Sequence, residues 1–134
     1  MDKTMKMVGA LLVVVAAISI AVLFSGTPAV QEDTGATATG TIYFFYGEEC
    51  PHCHNIMPFI VNMTKKYPEV SIQSLEIWHN ETNHQIFEEA NTAAGLSSLP
   101  GVPEVVFGKS VLIGERDIPA KLEGLIQDYL KKKP

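Results

Sequence analysis

Thr41-Ile42-Tyr43-Phe44-Phe45-Tyr46, then Gly47-Glu48-Glu49, then Cys50-Pro51-His52-Cys53 is the stretch whose reading decides the fold. The first six residues are aromatic and β-branched and predict a buried strand. After the cysteines, Ile56, Phe59, Ile60 and Met63 recur at helical spacing. Pro51 suits the first turn of that helix, where a missing N–H costs nothing. The only two cysteines of the chain therefore sit where a strand turns into a helix. Three chemistries fit a CxxC there: a reversible dithiol, a metal site drawing on Cys50, Cys53 and His54, or c-type haem attachment through Cys50-x-x-Cys53-His54.

The chain has 134 residues and a formal net charge of −5. That length suits one domain, and that charge argues against a nucleic-acid partner. Two cysteines so close together cannot staple a fold, because a bond between them closes only a tiny loop. Their role is local chemistry.

Upstream, Met7 to Gln31 carries no charge. Val8 to Phe24 is almost wholly aliphatic and would span about 26 Å as a helix. Residues 1–24 are expected to be a single membrane anchor, with a signal segment cleaved on secretion as the alternative. Lys3 and Lys6 precede the span and Glu32 and Asp33 follow it. The positive-inside rule then places the remainder outside the cytoplasm. Residues 25–40, rich in Ser, Gly, Thr and Ala, read as a flexible linker. Residues 41–134 form the globular head.

Within the head, the helix after Cys50 should kink at Pro58 and close at Lys65-Lys66. Val70 to Trp78 predicts a second strand, parallel to the first across the helix. Asn80 or Asn83 should cap a second helix, with Ile86, Phe87, Ala90, Ala93 and Ala94 facing inward and Gly95 ending it. Glu104 to Phe107 and Val111 to Ile113 predict an antiparallel pair turning at Gly108-Lys109. Asp117 should cap a last helix, buried through Leu122, Leu125, Ile126 and Tyr129. The expected class is α/β, in the order β-α-β-α-β-β-α.

That order, with CxxC at the first strand–helix junction, resembles the thioredoxin superfamily over Thr41 to Leu130. Pro58 is similar to the family's kinking proline. Gly101-Val102-Pro103 resembles the loop that carries its cis-proline, and Phe107-Gly108…Ile113-Gly114…Asp117 resembles the glutaredoxin-like branch. The Cys-Pro-His-Cys tetrapeptide with valine before the proline resembles extracytoplasmic thiol oxidases of the DsbA type. The chain departs from those oxidases in lacking their large helical insertion. It departs from thioredoxins in having Phe44 where they bury an acid and Glu49 where they have tryptophan. The resemblance implies a thioredoxin-like fold, with a central four-stranded mixed sheet flanked by helices.

It also implies a protein thiol–disulfide oxidoreductase with no cofactor beyond a redox-active Cys50–Cys53 disulfide, and no metal. Cys50, at the helix N-terminus, is the expected exposed nucleophile, since free N–H groups and the helix dipole stabilise a thiolate. Cys53 is the expected resolving thiol. Pro51 and His52 tune the pair, and a cationic His52 would favour the thiolate, whereas Glu48 and Glu49 oppose it. Val102 and Pro103 are the expected substrate-binding residues, offering backbone to an extended chain. Expected partners are protein thiols and disulfides and an integral-membrane thiol redox protein, engaged by a monomer. The direction, oxidase or reductase, stays open. His54, His79 and His84 read as surface residues, Trp78 as core, and Asn62 and Asn80 as weak glycosylation patterns.

Overall fold

The computed structural model describes residues 40–134. The expected anchor, and all of the expected linker but Gly40, lie outside the described residues. Among the described residues no helix is long and apolar enough to cross a membrane.

Among the described residues four strands and three helices follow in the expected order. They are β1 (Thr41–Tyr46), α1 (Pro51–Lys66), β2 (Ser71–Glu76), α2 (Glu81–Ala94), β3 (Glu104–Phe107), β4 (Ser110–Ile113) and α3 (Gly114–Lys132). The sheet order is β2-β1-β3-β4. β1 pairs parallel with β2 and antiparallel with β3, and β3 pairs antiparallel with β4. The βα crossover and the tight Gly108-Lys109 turn impose these two senses respectively.

β1 is central, and this explains its unbroken apolar run. Ile42 and Phe44 face one side with Ile56, Ile60 and Met63 of α1 and Ile118, Leu122 and Ile126 of α3. Phe45 faces the other side with Phe87 and Ala90 of α2. Neither Phe44 nor Phe45 has any exposed surface, and each such burial is worth about 1.5–3 kcal/mol. The sheet thus lies between α1 and α3 on one face and α2 on the other. β2 and β4 form its edges, and β2 is accordingly the most exposed strand.

Helix α1 runs through Pro58 to Lys66. Its far end is tied to α3, where Glu123 accepts from Lys66 Nζ at 2.5 Å and Tyr67 Oη at 2.6 Å. Asn80 caps α2 by accepting from the Asn83 N–H, and Gly95 ends it in the left-handed region at φ 92°.

Two expected details are corrected. Ala93 is exposed and Asn91 is buried in its place. Phe87, Ala90, Asn91 and Ala94 make the i, i+3, i+4, i+7 stripe, and Ala93 falls outside it. Asp117 does not cap α3. Gly114, at φ 87°, turns the chain directly from β4 into the helix. Ile113 therefore holds the cap position and Asp117 lies in the first turn, where an acid still favours the dipole.

Candidate active site

Cys50 and Cys53 are joined by a disulfide, with Cα atoms 5.3 Å apart. A turn closed by Cys50 N–H donating to Gly47 O (3.1 Å) brings the chain from β1 to the start of α1. Cys50 is the N-cap, with Pro51 just inside the helix. The Cys53 N–H lies 3.2 Å from Cys50 Sγ. This first-turn N–H, shared with the Cys50 carbonyl oxygen at 3.1 Å, is thus already aimed at the sulfur that would carry negative charge on reduction.

The sequence predicts an exposed Cys50, but in the disulfide it is only 4% exposed and Cys53 is fully buried. The cover comes from the loop before β3. The Val102–Pro103 peptide bond is cis, and the Val102 carbonyl oxygen stands 3.9 Å from Cys50 Sγ. The Gly114 N–H donates to Pro103 O at 2.8 Å, fixing this loop against the start of α3. The structure therefore brings together all six residues singled out from sequence: Cys50, Pro51, His52, Cys53, Val102 and Pro103.

A groove of about 470 Å³ opens along Val102, whose carbonyl oxygen faces Cys50. Its walls mix apolar Val102, Pro103 and Ile113 with His52, Glu115, Arg116 and Asp117.

Two carboxylates near the Cys50 turn pair with histidines. Glu115 Oε2 lies 3.1 Å from His52 Nδ1 and accepts from Asn55 Nδ2 at 3.1 Å. These two partners, Asn55 first, hold the Glu115 carboxyl below the usual range. On the other side, His79 Nε2 lies 2.7 and 2.9 Å from the two Glu49 oxygens. Glu49 raises the His79 pKa above its ordinary value through that hydrogen bond and its charge. Glu49 and His52 are thus each paired with an opposite partner, which damps the contest between them that the sequence predicts.

Glu76 braces the same turn. Its carboxylate accepts from the N–H groups of Trp78 (2.8 Å), His79 (2.9 Å) and Glu48 (3.3 Å). Desolvation works against its ionisation, but these donors together pull its pKa down.

Trp78 is not core, as its aromatic bulk implies, but 50% exposed. β2 is an edge strand ending at Glu76, and the indole beyond it lies over Gly47, which has no side chain to obstruct it. His54 Nε2 lies 2.6 Å from the Glu48 carbonyl oxygen, turned to the backbone rather than to the sulfurs. Glu48, Glu49 and His79 form an exposed cluster whose ligand-type atoms lie within 4.8 Å of one another.

The residue that sequence reasoning missed is Glu104. It is fully buried directly after Pro103, and Asn91 Nδ2 donates to its Oε1 at 2.9 Å. Desolvation pushes its carboxyl up to about 7, against the smaller opposing effect of the Asn91 hydrogen bond. One signal was present: an acid opening a strand otherwise made of Val105, Val106 and Phe107.

No family model matches the chain, and no curated protein matches it. Among solved structures, a Plasmodium falciparum thioredoxin is 23% identical, with 66% of this chain and 80% of that one covered at a TM-score of 0.42. A glutaredoxin from Archaeoglobus fulgidus is 24% identical, with 67% and 89% covered at 0.44. Glutaredoxin C1 from Populus tremula x tremuloides is 16% identical, with 69% and 80% covered at 0.44. Such partial likenesses leave the decision to strand order, the cis bond before β3 and the disulfide at the helix start. The fold is thioredoxin-like.

Proposed function

We propose that this thioredoxin-like chain is a thiol–disulfide oxidoreductase that exchanges disulfides with extended polypeptides outside the cytoplasm. The observation that carries the reading is the Cys50–Cys53 disulfide at a helix N-terminus, faced by the Val102 carbonyl at 3.9 Å.

The exchange needs no other reagent. A substrate thiolate attacks Cys50 Sγ, the bond to Cys53 breaks, and Cys53 leaves as a thiolate that takes up a proton. A second substrate thiolate then attacks the substrate sulfur of the mixed disulfide and releases the Cys50 thiolate. The substrate leaves oxidised by two electrons and the protein reduced by two. The reverse sequence reduces a substrate disulfide. In both directions Cys50, which alone of the two cysteines keeps exposed surface, is the one the substrate reaches. The substrate strand lies along Val102, whose backbone reads main chain rather than side chains.

Support for an extracytoplasmic, membrane-anchored site comes from the uncharged segment Val8 to Phe24 and from Lys3 and Lys6 before it. A tethered dithiol needs a thiol redox protein of the same membrane to reset it. The Pro51-His52 pair favours the oxidising direction, because stabilising the reduced thiolate makes the disulfide a better oxidant.

Insulin reduction and dithiol oxidation, run with the native chain and Cys50→Ser, test the reading. Loss of both activities in the variant is expected, and a fully active variant refutes it. Equilibration with glutathione then fixes the direction. A potential well below about −230 mV assigns a reductase, and a higher one an oxidase.

A further inference from the structure

Glu104 is the buried ionisable group that the exchange chemistry leaves unused. Alternation along β3 puts Val105 with the α1/α3 cluster and Val106 with the α2 cluster. Glu104 therefore shares the α2 face with Val106, away from the helix that carries Cys53, and it is not placed to take a proton from that thiol. It points instead at Asn91, whose Nδ2 donates both to Glu104 Oε1 and to the Phe87 carbonyl, each at 2.9 Å.

Two atoms of this pair are orphaned. Asn91 Oδ1 and Glu104 Oε2 are buried and have no hydrogen-bond partner. Both are acceptors when Glu104 is ionised, so neither can serve the other. A proton on Oε2 would turn that oxygen into a donor, and Asn91 Oδ1 is the unpartnered acceptor on its own hydrogen-bond partner. That proton converts a buried charge with one hydrogen bond into an uncharged acid–amide pair with two. The groups around Glu104 do not compensate a charge. Asn91 faces it from α2, Phe45 is its register partner on β1, and Ile113 is its partner on β4. Among the described residues, burial and the Asn91 hydrogen bond, and no charge, set its carboxyl.

We propose that Glu104 is a positioning residue for Val102 and Pro103, acting as a neutral acid that closes a two-bond ring with the Asn91 amide. This role rests on the exchange function proposed above. The ring fastens α2 to the residue immediately after Pro103. Val102, two residues back, packs against the same cluster of Phe45, Phe87 and Val106, and its carbonyl faces Cys50. Deprotonation breaks one of the two bonds and leaves a charge beneath the loop that receives substrate. Because burial brings the carboxyl up to about 7, the loop is set firmly below neutral pH and loosened above it.

The test is carbon-13 NMR on the full chain labelled at glutamate carboxyls and valine methyls, beside Glu104→Gln, which keeps shape and hydrogen-bonding capacity without a charge. The Glu104 carboxyl should titrate near 7, and the Val102 signals should follow that midpoint in the native chain and stay flat in the variant. The apparent KM for a disulfide-bonded protein should rise about fivefold across that midpoint in the native chain only, with little change in kcat. A Glu104 midpoint at the ordinary 4.5 overturns the neutral acid. Val102 signals, or KM profiles, that titrate alike in the two proteins overturn the positioning role. If neither protein exchanges disulfides, the functional reading falls by itself, while the two NMR observations still decide the state and reach of Glu104.

Discussion

His52 Nδ1 and a carboxylate oxygen of Glu115 lie 3.1 Å apart, although 63 residues separate them in the chain. The contact joins the first turn of α1 to the first turn of α3 across the mouth of the groove. Both side chains stay accessible, at 67% and 41%, so solvent screens the pair and its coupling is weak. His52 should therefore still act on Cys50. Replacing it by alanine is expected to lower the reduction potential by about 30 mV, equivalent to about 1.4 kcal/mol. The same change made in Glu115→Gln should differ from this by less than about 20 mV. An unchanged or higher potential in His52→Ala would show that the imidazole does not stabilise the thiolate.

The two cysteines should not be interchangeable. Cys53 is fully buried one helical turn in, while Cys50 keeps a small exposed surface. Cys53→Ser is expected to accumulate mixed disulfides through Cys50, because the resolving thiol is gone. Cys50→Ser should trap none. Non-reducing electrophoresis with mass spectrometry of the adducts reads this directly, and adducts on Cys53 would reverse the assignment.

The features legible in sequence are those that depend on neighbours along the chain. β1 and β3 fall where their apolar runs end, and Cys50-Pro51 marks the start of α1, because strand alternation, capping and proline placement are local. The strand senses followed from connection lengths. Glu104 with Asn91, His52 with Glu115, and Trp78 over Gly47 were not legible, since each joins residues brought together only by packing. Ala93 was misplaced because alanines on a helix flank look alike until a neighbour fixes the buried stripe. Glu104 defied the usual exclusion of acids from the core, and only its partner on α2 shows how it is accommodated.

The Glu104–Asn91 pair makes a prediction about stability that is independent of activity. The folded-state pKa of Glu104 is raised, to about 7 from 4.5. Its neutral form is thus favoured by folding, and this contribution is fully present below about 4.5 and lost as pH rises through 7. The loss is on the order of 3 kcal/mol. Denaturant unfolding at pH 5 and pH 8 should show the native chain losing more stability than Glu104→Gln does. His79, also raised, loses its contribution in the same direction above its ordinary 6.5, and it does so equally in both proteins. Equal losses in the two would show that Glu104 is not the titrating group.

Removing one partner should also differ from removing both. Asn91→Leu leaves a buried carboxyl with no donor and should cost about 2–3 kcal/mol at neutral pH. Asn91→Leu combined with Glu104→Leu removes the orphan as well and should recover most of that loss. A double variant as unstable as the single one would mean that packing, not the unpaired acid, dominates.

Gly47 offers the last check, because it sits between the tryptophan and the active-site turn. Its φ is not positive, so its backbone accepts alanine, but a Cβ there would run into the Trp78 ring. The Gly47 carbonyl also accepts from the Cys50 N–H at 3.1 Å, so a displaced Gly47 disturbs the turn that carries Cys50. Gly47→Ala is expected to cost about 1–3 kcal/mol, the usual range for overpacking. It should also change the intrinsic fluorescence, since Trp78 is the only tryptophan. The indole is half-exposed and can be removed without opening a core cavity. In a Trp78→Ala background the added methyl then has room, and Gly47→Ala should cost within about 0.5 kcal/mol. A loss as large there as in the native background would place the strain in the turn itself rather than in the contact between Gly47 and Trp78.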